Sequence, residues 1–257
     1  MAFNMLFIIL KKELRALFLS PLAWVMMAVV QLVVSYQFLS QIENYLQIQG
    51  QMELQENALG ISDLVISPLL AGAAMVLLLI TPLLTMRLIS EERKNQTLTL
   101  LMSAPMPMSA IVLGKFLSVV IFLFIMLGFI SLMPLSLVWA TPIDLGQLAA
   151  SILGLALALC AFAAAGLYLS TLTAQPAVAA ISSFGLLLLL WLLNWNGQMG
   201  SNAGTDLNLL AHISILNHLE PFLYGTFSSD DVLYFILFMS FFLLLAVKRL
   251  DKLRLPH

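Results

Sequence analysis

The sequence predicts an all-α membrane protein. It should have six transmembrane helices, an N-terminal interfacial helix, a cytoplasmic helix after the second span and short extracytoplasmic helices before the last. Three observations point there. The 257 residues are 61% hydrophobic and only 9% charged, against roughly 25% charged in a soluble domain. Six apolar runs are long enough to cross about 30 Å of hydrocarbon, for which about 20 helical residues are needed. All eleven Lys and Arg residues can be placed on one side: the connections 41–65, 141–146 and 198–231 hold none of them, but hold nine of the thirteen acidic residues. Basic residues next to spans stay cytoplasmic, so both termini are expected inside.

The segment 4–19 comes first. Phe3, Leu6, Phe7, Leu10, Leu14, Leu17 and Phe18 fall on one helical face, with Asn4, Lys11 and Arg15 opposite. Such a helix lies in the headgroup layer; the alternative is an N-terminal extension of the first span. Ser20-Pro21 supplies the break, since proline is well placed at a helix start. Spans follow near 21–40, 66–86, 116–140, 147–172, 177–195 and 232–249. The last relies on the long stems of Lys248 and Arg249 reaching the interface. Gly154, Ala158, Ala161, Ala165 and Gly166 make the fourth span a close-packing helix. No connection exceeds about 35 residues, too few for a self-sustaining soluble core, so residues 1–257 read as one membrane domain. The apolar stretch at the N-terminus precedes its basic cluster, the reverse of a cleavable signal's order.

Several chemistries are excluded by residue type. The expected membrane interior has no Asp, Glu, Lys, Arg or His, which argues against proton-coupled transport, because ionisable groups are kept in spans for such work. There is no His-Glu-x-x-His pair, no Gly-x-Ser-x-Gly turn and no phosphate-cradling loop ending in Gly-Lys-Ser/Thr. The chain should therefore not hydrolyse ATP by itself. Cys160 is the lone cysteine, so neither an intrachain disulfide nor a thiolate metal site is available. No metal, cofactor or nucleic acid is expected on this chain. The mild polar residues Gln31, Ser35, Tyr36, Gln37, Thr81, Thr85, Ser182 and Ser183 read either as interhelical hydrogen-bonding groups or as the lining of a pathway.

The element 90–107 is the most informative connection. It opens on Glu91-Glu92-Arg93-Lys94, continues as a short amphipathic helix with Leu98, Leu101 and Met102 at i, i+3 and i+4, and breaks at Pro105 and Pro107. An apolar face outside the spans must meet headgroups or a partner protein. The run Glu-Glu-Arg-Lys-x-x-Thr-Leu-x-Leu-Leu-x-x-x-Pro, with Gly114-Lys115 nine residues on, resembles the cytoplasmic signature of ABC-2 type transporter permeases (type V exporter-like). In that family the element is the coupling helix that docks on a separate ATPase subunit. The resemblance assigns docking to Glu91, Glu92, Arg93, Thr97, Leu98, Leu101 and Pro105, with Leu100, Gly114 and Lys115 also matching. Gln96 stands where Gly is common and Thr99 where Glu is common.

A second stretch, Ser214-x-x-x-His218-x-x-x-Phe222-x-x-Gly225, followed by Asp231 and Tyr234-Phe235, is similar to the segment before the last span of gliding-associated (GldF-type) permeases. His218, Phe222 and Gly225 are spaced to share one helical face, and His218 reads as a packing or capping residue ahead of a ligand. The resemblance implies a subunit that couples ATP hydrolysis to export or extrusion across the bacterial inner membrane. ATP and Mg would sit on the partner ATPase. The second permease would be another copy or a related chain, possibly with an extracytoplasmic domain, and membrane lipid would surround both. Gln31, Thr85 and Ser182 would lie near the inter-subunit pathway. Two other readings stay open: a membrane anchor or scaffold of an ATP-driven gliding or pilus-type machine, and an uncoupled secondary carrier.

Overall fold

The computed structural model describes residues 2–52, 60–97, 107–139, 141, 143–193 and 212–254. The described residues are helical and contain no strand. In chain order the helices are α1 (Ala2–Leu19), α2 (Pro21–Met52), α3 (Ser67–Thr85, entered through a π-helical turn at Ser62–Ile66), α4 (Arg87–Lys94), α5 (Met108–Leu137), α6 (Leu145–Leu172), α7 (Pro176–Leu192), α8 (Ile215–Leu223) and α9 (Ser229–Arg254). Five stretches are long and apolar enough to cross a membrane: Pro21–Ile48, Ser62–Lys94, Met108–Leu137, Leu145–Leu172 and Ser229–Arg254. The run expected at 177–195 is the shorter helix α7, 17 residues as described, or about 25 Å at 1.5 Å per residue. Residues 194 and 195 lie outside the described residues.

Local sequence explains the breaks. Ser20 separates α1 from α2, and the indole Nε1 of Trp24 donates to the freed Phe18 carbonyl at 2.8 Å. Pro82 removes an amide from the ladder near the end of α3, and the chain turns at Met86 into α4. Asp144 caps α6, its carboxylate accepting from the amides of Gly146 (2.8 Å) and Gln147 (3.2 Å), as a helix N-terminus requires. α2 continues to Met52, well past the expected end at residue 40. At 32 residues it is about 48 Å long, so it outruns the hydrocarbon thickness.

α6 is the axis of the fold: it touches α3, α4, α5, α7, α8 and α9. Its small residues do what the sequence suggests. Ala158, Ala161 and Ala165 are wholly buried. Gly154 leaves room for Phe222 of α8, and Gly166 for Thr85 of α3; a Cβ at either would stand 2.5 Å from Phe222 Cβ or 2.2 Å from Thr85 Oγ1. Residues that contact partners at the two ends of α6, Gln147 and Ser170, are about 35 Å apart along the helix. At the Ser170 end gather Arg87, Arg93, Lys94 and Lys115; at the Gln147 end gather Asp63, Asp144 and Asp231. The charge segregation of the sequence thus becomes a basic end and an acidic end.

α1 keeps most of its amphipathic reading, with Leu6, Leu10, Leu14, Leu17 and Phe18 half-buried and Lys11 and Arg15 exposed, and differs at two positions. Ile9, outside the anticipated apolar face, is buried, whereas Phe7 is 58% exposed. The helix lies along the first half of α5, with Ile9 over Gly114 and Phe18 edge-on to Phe122 at 5.6 Å. Glu13 shares the inward side with Ile9 and meets a buried cation on α5. Periodicity of apolar residues cannot register that pairing.

Gly166→Val forces backbone movement between α6 and α3, because Thr85 is short and fully buried. It should lower stability by about 1–3 kcal/mol, read as a reduced thermal midpoint in detergent. Gly128→Ala, where a Cβ meets nothing within 4 Å, should leave that midpoint unchanged or slightly raised.

Candidate functional site

The candidate site is built around α4 at the basic end. Only eight residues long, it is too short to hold its position by itself, and it is fastened on two sides. On the α6 side the Ser170 hydroxyl accepts from the first-turn amides of Ile89 (3.2 Å) and Ser90 (3.1 Å) and donates to the Met86 carbonyl at 3.1 Å. One hydroxyl therefore bonds three backbone groups at the α3–α4 break, where the Met86 carbonyl also accepts from the Ser90 hydroxyl. Further along, Arg93 Nη1 donates to the carbonyls of Thr171 (3.4 Å) and Leu172 (3.3 Å). These are terminal carbonyls of α6, where a cation also complements the helix dipole.

On the other side stands Lys115, with 1% of its side chain exposed. Its Nζ lies 2.8 Å from Glu92 Oε1 of α4 and 2.9 Å from Glu13 Oε1 of α1. Lys12, largely in solvent, approaches the same two carboxylates at 3.6 and 3.8 Å. A buried ammonium is tolerated when ion-paired and hydrogen-bonded, and here two carboxylates from distant segments supply both. The second oxygen of Glu92 is buried without a hydrogen-bond partner among the described residues. The Lys115 cluster thus joins α1, α4 and α5.

The docking residues drawn from the sequence divide accordingly. Glu92 and Arg93 turn inward. Glu91 is exposed and, with Arg87, Lys94, Asn95 and Pro176, lines an open cleft of about 460 Å³ between α4 and the start of α7. Thr97 is exposed, its hydroxyl donating to the Glu92 carbonyl at 3.3 Å. Leu98, Leu101 and Pro105 lie outside the described residues, as does Leu100. Gln96 has φ +56°, the one positive φ at a non-glycine residue among those described. It follows the α4 C-cap Asn95, the position where glycine is favoured, which gives a physical reason for glycine being common there.

The three candidate pathway residues have different surroundings. Gln31 is half-buried and its amide reaches the Phe129 carbonyl at 3.5 Å. Thr85 is fully buried beside Gly166, donating to the Thr81 carbonyl of its own helix at 3.0 Å. Ser182 is exposed and bonded to Ala179 of α7 at 3.1 Å.

At the acidic end, α8 is clasped to its neighbours. His218 Nδ1 lies 2.6 Å from Asp231 Oδ1, and its Nε2 lies 2.9 Å from the His212 carbonyl; a carbonyl only accepts, so Nε2 carries a hydrogen. The imidazole stacks on Tyr234 at 4.0 Å, whose hydroxyl donates to the Ile213 carbonyl at 2.6 Å. Phe222 fills the space over Gly154. Gly225 does not share their helical face: α8 ends at Leu223, and Gly225 turns the chain with φ +77°, close against Gln147. Gln147 in turn donates to Asp63 (2.8 Å), Ser67 (3.1 Å) and the Leu223 carbonyl (3.2 Å). Among the described residues no group of three or more His, Cys, Asp or Glu is arranged to hold a metal.

Residues 7–247, nearly the whole chain, match the family described as ABC-2 family transporter protein. The chain belongs to the ABC-2 transporter family. No curated protein matches the sequence. Membership makes this chain the multi-pass membrane component of an ABC transporter, the part that spans the bilayer. Within that ABC-2 chain, the sequence singled out Glu92, Arg93 and Lys115 by resemblance and gave no role to Glu13 or Ser170. No sequence pattern signals either, because each is set by pairing across the fold.

Removing Lys115 leaves two carboxylates facing each other with only the solvent-exposed Lys12 beside them. Lys115→Met should cost about 3–5 kcal/mol, measured by thermal or denaturant unfolding in detergent. The triple change with Glu13→Gln and Glu92→Gln should recover much of the loss. At the left-handed position, Gln96→Gly should hold or raise the unfolding midpoint, and Gln96→Val should lower it by about 1–2 kcal/mol.

Proposed function

We propose that the chain is the permease subunit of an ATP-driven exporter or extruder of the bacterial inner membrane, of the type V kind and closest to the gliding-associated branch. A separate ATPase subunit, carrying ATP and Mg, docks at the basic end, which faces the cytoplasm together with both termini. The membrane domain completes six spans, with α7 as the fifth, and pairs with a second permease, another copy or a related chain. Docking falls to the exposed Glu91 and Thr97 and to Leu98, Leu101 and Pro105. Glu92 and Arg93 act one step behind, fastening that contact to the bundle.

The observation that carries this reading is the double attachment of α4. Displacement applied to the segment after it is passed to α6 through Ser170 and Arg93 and to α5 and α1 through Lys115. A partner pushing there would move helices as units, as switching transitions in packed cores require. The burial of Thr85 against Gly166 favours a second reading, in which the same coupling drives an envelope machine mechanically instead of opening a hydrated route. The roles of Gln31 and Ser182 depend on which of the two holds.

The test is purification of the tagged protein in mild detergent, with the eluate assayed for ATPase activity and co-purifying chains identified. A chain with a phosphate-binding loop and activity in the eluate is expected with the wild type. Leu98→Asp plus Leu101→Asp should reduce both at least tenfold, while circular dichroism stays unchanged. Full retention of both by the double variant would remove the docking assignment.

A further inference from the structure

A second concave feature lies beside α4 and shares Arg87 and Glu91 with the cleft described above. A crevice of about 170 Å³ opens where α1 gives way to α2 and α3 to α4; Glu13, Leu17, Leu22, Leu83, Arg87 and Glu91 are among the residues that line it. Its walls are graded. Leu22 and Leu83, 38% and 41% exposed, stand at the spanning side. Arg87 and Glu91, both exposed, and the half-buried Glu13 stand at the basic end. Trp24, 56% exposed, sits just beyond Leu22, and exposed indoles favour the depth of the lipid headgroups.

The charges at the polar end are unusual. Arg87 and Glu91 are four apart on one helix, a spacing at which opposite charges ordinarily pair. Here neither forms an ion pair among the described residues. A cation and a carboxylate are thus held open on one wall, with Glu13 on the adjoining one. That arrangement complements a ligand carrying an anion and a cation a few bonds apart, on a body with an apolar tail.

We propose that this crevice binds a single phospholipid with a primary ammonium headgroup. Its phosphate lies on Arg87, where a planar guanidinium offers paired donors. Its ammonium donates to Glu91 and the outer edge of Glu13, and one acyl chain runs past Leu22 and Leu83. A purely anionic headgroup would set its phosphate among carboxylates with no cation to offer them. A trimethylated one could not donate hydrogen bonds to those oxygens. The site shares Glu91 with the proposed docking surface, but its test needs only the isolated permease in lipid and no ATPase.

Native mass spectrometry of the delipidated protein, titrated with dioleoyl phosphatidylethanolamine, phosphatidylcholine and phosphatidylglycerol, tests this. One ethanolamine lipid should bind at least tenfold more tightly than either of the others. Arg87→Gln and Glu91→Gln should each weaken it about tenfold, and Lys11→Gln, outside the crevice, should not. A photoactivatable ethanolamine lipid should crosslink to peptides covering 13–24 and 83–91 in the wild type, a readout that needs no variant to fold. Equal binding of all three lipids, preference for the glycerol lipid, an ethanolamine preference untouched by both variants, or crosslinks confined elsewhere would each overturn the assignment.

Discussion

One buried ammonium organises the basic end of this molecule. Lys115 sits inside the protein only because carboxylates from α1 and α4 reach it, residues 102 and 23 positions away in sequence. The cost of withdrawing such a charge from water is several kcal/mol, recovered only through close, hydrogen-bonded partners. None of the three segments can move off without stranding the others. That dependence turns three separately folded helices into a single fixture, with α5 as its post. α5 can serve so because its 30 residues reach about 45 Å, which leaves room for Lys115 beyond the hydrocarbon.

The opposite end is held by different chemistry. There carboxylates meet amides, hydroxyls and an imidazole in place of an ammonium: Asp144 caps its own helix, His218 meets Asp231, Gln147 joins Asp63, Ser67 and the Leu223 carbonyl, and Ser151 joins the Phe222 and Leu223 carbonyls at 3.1 and 3.3 Å. Many short hydrogen bonds to backbone positions define a lid over the end of α6 without a buried lysine. Between the two ends α6 offers glycine and alanine, and close contact there relies on shape. The ABC-2 chain therefore combines an ionic joint at one end, a polar lid at the other and a smooth rod between.

Much of this was legible in the sequence because it follows from composition and local preference. The apolar runs, the Ser20-Pro21 break, the small residues of the fourth span and the sign of each connection are properties of neighbouring residues. What escaped depends on pairing across the fold. Glu13 has no role assigned by spacing and gains one only when the cation on α5 stands beside it. The bonds of Arg93 to the end of α6 carry no signal in the local sequence. Gly225 shares a spacing with His218 and Phe222, yet the helix stops before reaching it. The spacing at Gln96 told the reverse story: a family preference for glycine became explicable once its backbone angle was known.

The Ser170 hydroxyl has a mechanical consequence of its own. Three bonds, to Met86, Ile89 and Ser90, converge on a single oxygen at the joint between a long helix and a short one. A joint fixed at one atom alone would swivel about it. Here Glu92 and Arg93 also hold the far end of α4 to α5 and α6, so any excursion of α4 carries those helices with it.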